Sequence, residues 1–246
     1  MQTKTLTFFL LILIAACSVS EPNVPQNETA IPNVSPDTLV PCIWKKRNPD
    51  IPIGNARYKD LNINYKAPGC FFAQTSVSVP EKGPGGYGRA GERPRPIVQT
   101  DSFCTGHTYL WVDTSQLSAR DGKWNAYPVY LINHSDSIFS MYVNSSRLPI
   151  LLEVYHENQW QIVEFLPTSD CGNSYHHVSL NKHEFWALAA PRYAGALKVS
   201  MRYVLLGNAP NKTPALVSNT FMGRINLKQI TAPANPYNER SLFYPY

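Results

Sequence analysis

The chain has 246 residues, with 22 lysines and arginines against 17 aspartates and glutamates, for a formal charge of +5. Apolar residues make up 43% and charged residues 16%, which is enough apolar chain for a real core and excludes a charge-rich disordered protein. The positive excess is mild. Only Lys45, Lys46 and Arg47, and the set Arg89, Arg93 and Arg95, approach clusters, too few to track phosphates, so no nucleic-acid partner is expected.

The opening stretch MQTKTLTFFLLILIAACS places Lys4 ahead of an apolar run from Leu6 to Ala16, with two alanines before Cys17. That is the layout of a secretory leader. The run is shorter than the about 20 apolar residues a spanning helix needs. Residues Ile14, Ala15, Ala16 and Cys17 resemble the lipobox of bacterial lipoproteins. The resemblance implies that residues 1–16 are a signal peptide and that Cys17, acylated on its sulfur with palmitate-like chains, becomes the mature N-terminus. Each buried methylene adds about 0.8 kcal/mol of membrane affinity, so two or three chains anchor a protein firmly. Ser18 stands where an aspartate would retain an enterobacterial lipoprotein in the inner membrane, which points to the outer membrane of a cell envelope.

Residues 17–41 carry the lipidated cysteine and the stretch SVSEPNVPQNETAIPNVSPDTLVP, in which prolines are spaced through polar residues with no apolar period. Such a segment cannot bury enough surface to offset its chain entropy and is predicted to be a disordered tether.

Residues 42–125 are predicted to be a strand- and loop-rich region stapled by disulfides. Candidate strands at Phe71–Val79 and His107–Val112 flank the segment EKGPGGYGRAGERPRP. Gly83, Gly85, Gly86, Tyr87, Gly88 and Arg89 have the glycine content of a phosphate cradle, but no Lys-Ser/Thr pair follows and no apolar helix begins there. The segment reads instead as a long surface loop and a contact surface. With Cys17 lipidated, Cys42, Cys70, Cys104 and Cys171 form an even set in an exported chain and predict two disulfides, with three connectivities. If Phe71–Val79 and His107–Asp113 pair as a hairpin, Cys70 and Cys104 lie at its opposite ends, beyond the roughly 7 Å a bridge allows. Cys70 is then directed to Cys42 or Cys171.

From residue 126 to 230 the period-2 signal strengthens. Leu197, Val199, Met201, Tyr203 and Leu205 alternate with Lys198, Ser200 and Arg202, and Val217, Phe221, Ile225 and Leu227 continue the parity against Ser218, Thr220, Arg224 and Lys228. Ile150–Tyr155 and Trp160–Leu166 flank HENQ and predict a hairpin. Tyr127–Ile132, Phe139–Val143, His177–Leu180 and Phe185–Ala189 add four strands. About eight strands with no convincing helix predict an all-β fold, an antiparallel two-sheet sandwich. The segments LLEVYHENQWQIVEF, GALKVSMRYVLL and SNTFMGRINL resemble the middle and final strands of bacterial immunoglobulin-like or fibronectin-like domains. The resemblance covers roughly the C-terminal half and implies a fold without a particular activity. Residues 231–246 form an aromatic tail of no clear period.

No catalytic group, metal ligand set or cofactor is expected. Cys104 and His107 have a zinc-like spacing, with Cys171, His176 and His177 as completing ligands, but thiolates in an oxidising compartment are drawn into disulfides. His183-Glu184 starts like a zincin helix and lacks the second histidine. His134, Ser135, Asp136 and Ser137 read as a polar turn, not a triad. Glu153 and Glu164 could face each other as a carboxylate pair, but on a sandwich they are placed on the solvated face. Asp37-Thr38-Leu39 and Asp136-Ser137-Ile138 match a short O-glycosylation acceptor pattern. The sequence therefore predicts a lipid-anchored envelope protein, not an enzyme, that binds the membrane through its lipid and serves as a structural or interaction module. The expected partner is another envelope protein or, alternatively, a glycan stacked on Tyr87, Trp124, Trp160, Trp186, Phe243, Tyr244 or Tyr246.

Overall fold

The computed structural model describes residues 58–76, 91–97, 106–207 and 214–234. The leader, Cys17, the tether, Cys42, Cys104, the segment from Gly83 to Arg89 and the C-terminal aromatic tail lie outside the described residues, as do Tyr87, Phe243, Tyr244 and Tyr246.

In chain order the first strands are β1 (Leu61–Asn62), β2 (Ala67–Pro68), β3 (Arg95–Pro96), β4 (Thr108–Val112) and β5 (Ser118–Arg120). There follow β6 (Trp124–Asn133), β7 (Phe139–Asn144), β8 (Ile150–His156), β9 (Gln159–Ile162) and β10 (Glu164–Phe165). The last are β11 (Tyr175–Leu180), β12 (Glu184–Pro191), β13 (Tyr193–Ala194), β14 (Leu197–Leu206), β15 (Pro214–Val217) and β16 (Phe221–Ile225), before a short helix α1 (Leu227–Thr231).

Two five-stranded antiparallel sheets dominate. One has the order β3-β12-β6-β4, with β5 also on β6; the other has the order β15-β14-β8-β9, with β16 also on β14. An antiparallel ribbon of β7 and β11, and two short parallel pairs, β1 with β13 and β2 with β10, complete the topology. This is an all-β arrangement consistent with an immunoglobulin-like sandwich. Strands on both sides of Asn125 share the first sheet, since β4 and β5 pair with β6.

The alternation read from the sequence explains the core. Val129 and Leu131 of β6, Trp186, Leu188 and Ala190 of β12, and Leu110 and Val112 of β4 turn inward from the first sheet. Ile150, Leu152 and Val154 of β8 and Val199, Met201, Tyr203 and Leu205 of β14 turn inward from the second. Both sets belong to one apolar cluster. Full burial of a Leu, Ile or Val side chain stabilises by about 1.5–3 kcal/mol, so this shared cluster is the main favourable contribution to the fold. Glu157 (φ 51°) and Asn158 (φ 62°) make a two-residue turn between β8 and β9, and the twist of such a turn matches that of the strands it joins.

Several expectations need correction. Cys70 is buried and Cys171 exposed, both as free thiols, so the predicted stapling by disulfides does not hold for them. The geometric premise behind it also fails. Residues 71–76 form no hairpin with 107–113; Phe72 and Ala73 make isolated bridges to Arg147 and Glu92, while β4 lies beside β6. The strand predicted through Leu227 stops at Ile225. Ser218 first separates β15 from β16, its backbone N–H donating to the Tyr203 carbonyl and its hydroxyl accepting from the Tyr203 N–H. Asn226 then caps α1, with Gln229 bonding back to it, so Leu227 begins a helix and is exposed.

Candidate functional site

A groove of about 280 Å³ is lined by Asp60, Tyr127, Arg192, Tyr193, Lys198, Met222, Gly223 and Arg224. Each element delivers its residue for a local reason. The β6–β12 ladder pairs Tyr127 with Ala190 and Ala126 with Pro191, so Arg192 leaves the sheet beside Tyr127. Arg192 donates from Nε to Asp60 Oδ1 at 2.7 Å, and the Asn125 amide donates to the same oxygen at 2.8 Å. The Leu61 N–H donates to the Arg192 carbonyl, which fixes Asp60 at the start of β1.

The second sheet supplies the other wall. Lys198 of β14 lies directly opposite Arg224 of β16 in the ladder, and Met222 lies opposite Ser200. Arg224 donates from Nη1 to the Gly195 carbonyl at 3.3 Å. Among the described residues neither Lys198 nor Arg224 is in an ion pair. The groove thus gathers three cations around one carboxylate that is already bonded.

Electrostatics follow from these contacts. The hydrogen bond and charge of Asp60 raise Arg192 above its ordinary value, so it stays a cation. Burial pushes the Tyr127 phenol up, and Asp60 adds to this against the opposing pull of Arg192. The phenol is a neutral hydrogen-bonding group at physiological pH.

The sequence-predicted residues do not converge here. His176 and His177, adjacent on β11, point to opposite faces: His176 is buried with its Nε2 at 3.0 Å from the Ser146 hydroxyl, and His177 packs on the exposed Tyr142. Cys171 is exposed. No group of three or more potential metal ligands is found among the described residues. His134 to Ser137 form a turn organised by the buried Asn133, whose side chain donates to the carbonyls of Ser137, Leu180 and Asn181.

Glu153 and Glu164 are not on a solvated face. Glu153 is buried and accepts from Arg202 Nε at 2.7 Å, while Glu164 lies in the core and accepts from the Tyr193 hydroxyl at 2.8 Å and the Leu152 N–H at 3.0 Å.

The aromatic candidates divide by environment. Trp186 is fully buried, its Nε1 donating to the Gln74 carbonyl, and Trp124 packs on the main core. Trp160 carries the Arg202 guanidinium at 4.0 Å from its ring centre, which occupies one face of the ring. The sequence reading missed Trp111, which stacks on Tyr130 at 6.3 Å on the outer face of the first sheet. It also missed Asp60, Tyr127, Arg192, Lys198 and Arg224 as a group. Matching parity on β14 and β16 was the one available signal, and it becomes a cationic pair only once the register of the two strands is known.

No protein-family model, curated protein or solved structure matches the chain.

Proposed function

We propose that the protein is a lipid-anchored cell-envelope protein whose β-sandwich is a non-catalytic binding module. The observation that carries this reading is the groove itself. Its polar groups are three cations, the Tyr127 phenol and one carboxylate held by Arg192 and Asn125, a set suited to holding a ligand rather than to exchanging protons with one. The all-β fold and the lack of a metal-ligand cluster among the described residues are consistent with a structural or interaction domain. Ile14 to Cys17 support lipid anchoring and an outer-membrane address. The module then works at a set distance from the bilayer, on the tether of residues 17–41.

The test is cross-linking in intact cells with the tagged full-length chain and with Cys17→Ala, followed by mass spectrometry of the captured material and of the mature N-terminus. An acylated Cys17 and one envelope component captured by the wild type but not by Cys17→Ala are expected. An unmodified Cys17, or equal capture by both chains, would refute the anchored-module reading.

The groove also favours the glycan reading, because its cations lie beside an aromatic and an apolar side chain, Tyr127 and Met222.

A further inference from the structure

We propose that the groove is a binding site for one carboxylate-bearing sugar unit of an anionic glycan. The proposal rests on the binding-module reading and names the ligand class. Four features of the site argue for it.

The first is charge. Arg192, Lys198 and Arg224 line a cavity whose only acid is Asp60. Lys198 and Arg224 sit directly opposite each other on neighbouring strands, an arrangement that destabilises an antiparallel pair. A bound anion offsets that repulsion. Arg224 is tethered by the Gly195 carbonyl and Arg192 by Asp60, so two of the cations are already ordered before a ligand arrives.

The second is the carboxylate. Both described bonds to Asp60 use Oδ1, which leaves Oδ2 without a partner among the described residues. A bare oxyanion is repelled by that oxygen. A ligand that carries hydroxyl donors beside its negative charge satisfies it, and a sugar acid has both.

The third is size. At about 280 Å³ the groove is at the small end of ligand pockets, which run from about 300 Å³ upward, and suits a single ring-sized unit. The fourth is the apolar lining. Tyr127 and the exposed Met222 offer surfaces for the C–H face of a sugar ring.

The experiment is ligand-observed saturation-transfer NMR on the detergent-solubilised full chain, with glucuronate and glucose as observed probes and inorganic phosphate, which has no carbon-bound protons, titrated in as a competitor of glucuronate. Wild type is compared with the double variant Lys198→Gln/Arg224→Gln. Glucuronate is expected to saturate the wild type, with glucose and phosphate at least about tenfold weaker, and added salt is expected to weaken glucuronate. The double variant is expected to lose about tenfold in glucuronate affinity with no fall in melting temperature, because it removes a like-charge pair at exposed positions. Absence of glucuronate saturation, phosphate binding as tight as glucuronate, or undiminished binding by the double variant would each overturn the proposal.

Cross-linking with the same double variant separates the two readings. If glucuronate fails to bind while both chains still capture the envelope component, the groove assignment falls and the binding module stands. If capture fails as well, both fall.

Discussion

Glu164 is a carboxyl group placed among apolar side chains. Burial pushes it from an ordinary 4.5 up to about 7, although the bonds from Tyr193 and Leu152 and the charge of Arg120 all favour its ionised form. The folded protein therefore holds this proton more tightly than the unfolded chain does. The resulting stability is fully present below about pH 4.5 and is lost progressively as the pH rises toward 7. Wild-type urea midpoints are expected to fall across that window, and Glu164→Gln is expected to flatten the slope; parallel curves for the two proteins would contradict the assignment. Its neighbour Cys70 is pushed up to about 12 by burial, so its thiol stays protonated and poorly nucleophilic. Neither environment was readable from the sequence. Strict alternation through Trp160 to Leu166 gives Glu164 the parity of Trp160, Ile162 and Leu166 and does not set its surroundings; the ladder breaks at Val163, whose N–H donates to the Leu152 carbonyl, and the next bond, from the Leu152 N–H, goes to the Glu164 side chain. Three consecutive residues, Val163, Glu164 and Phe165, are buried there, which a period of two cannot express.

At the level of elements, β14 is the strand on which the second sheet is built, flanked by β8 on one edge and by β15 and β16 on the other. Gly195, just before it, is where backbone meets backbone: a Cβ there would lie 2.0 Å from the carbonyl carbon of Ile225. Gly195→Ala must separate β16 from the start of β14 and is expected to destabilise by about 3 kcal/mol, the upper range for overpacking, as measured by urea unfolding. A change below about 0.5 kcal/mol would show that the close approach is not a constraint. The central strands were legible: β6, β7, β8, β11, β12 and β14 overlap the segments expected as strands, β14 through its alternation and the others through apolar, β-prone runs between turns. The shorter ones were not. Asp121 (φ 52°) and Gly122 (φ 62°) form the turn from β5 into β6, and the Asp-Gly pair is a hairpin signal, yet β5 has too few residues for its alternation to be seen. β1, β2 and β3 are two-residue strands fixed by distant partners, and nothing local in their sequence selects them.

Across the whole molecule the two sheets are joined by a side chain acting as backbone. Asn219, in the loop between β15 and β16 of the second sheet, accepts from the Val112 N–H at 2.8 Å and donates to the Val112 carbonyl at 3.0 Å on β4 of the first. Asn219→Ala leaves both groups of the buried Val112 unpaired and is expected to cost about 3 kcal/mol, with one cooperative transition of lower midpoint. Two separated transitions would show instead that the sheets melt independently. The groove is similarly a property of the assembled molecule, since Asp60 reaches Arg192 across 132 positions of sequence. That is why composition and motif could place neither, whereas the sandwich class, a matter of alternation, could be read. The parallel pairs β1 with β13 and β2 with β10 have a bearing on how the chain matures. A polypeptide emerges N-terminus first, so Leu61 and Ala67 are delivered long before Tyr193 and Glu164 exist to receive them. Among the described residues the first two strands to appear must wait for these partners, until β10 and β13 have been made. These two closures therefore belong to the later part of synthesis, after residues 164 and 193 have emerged.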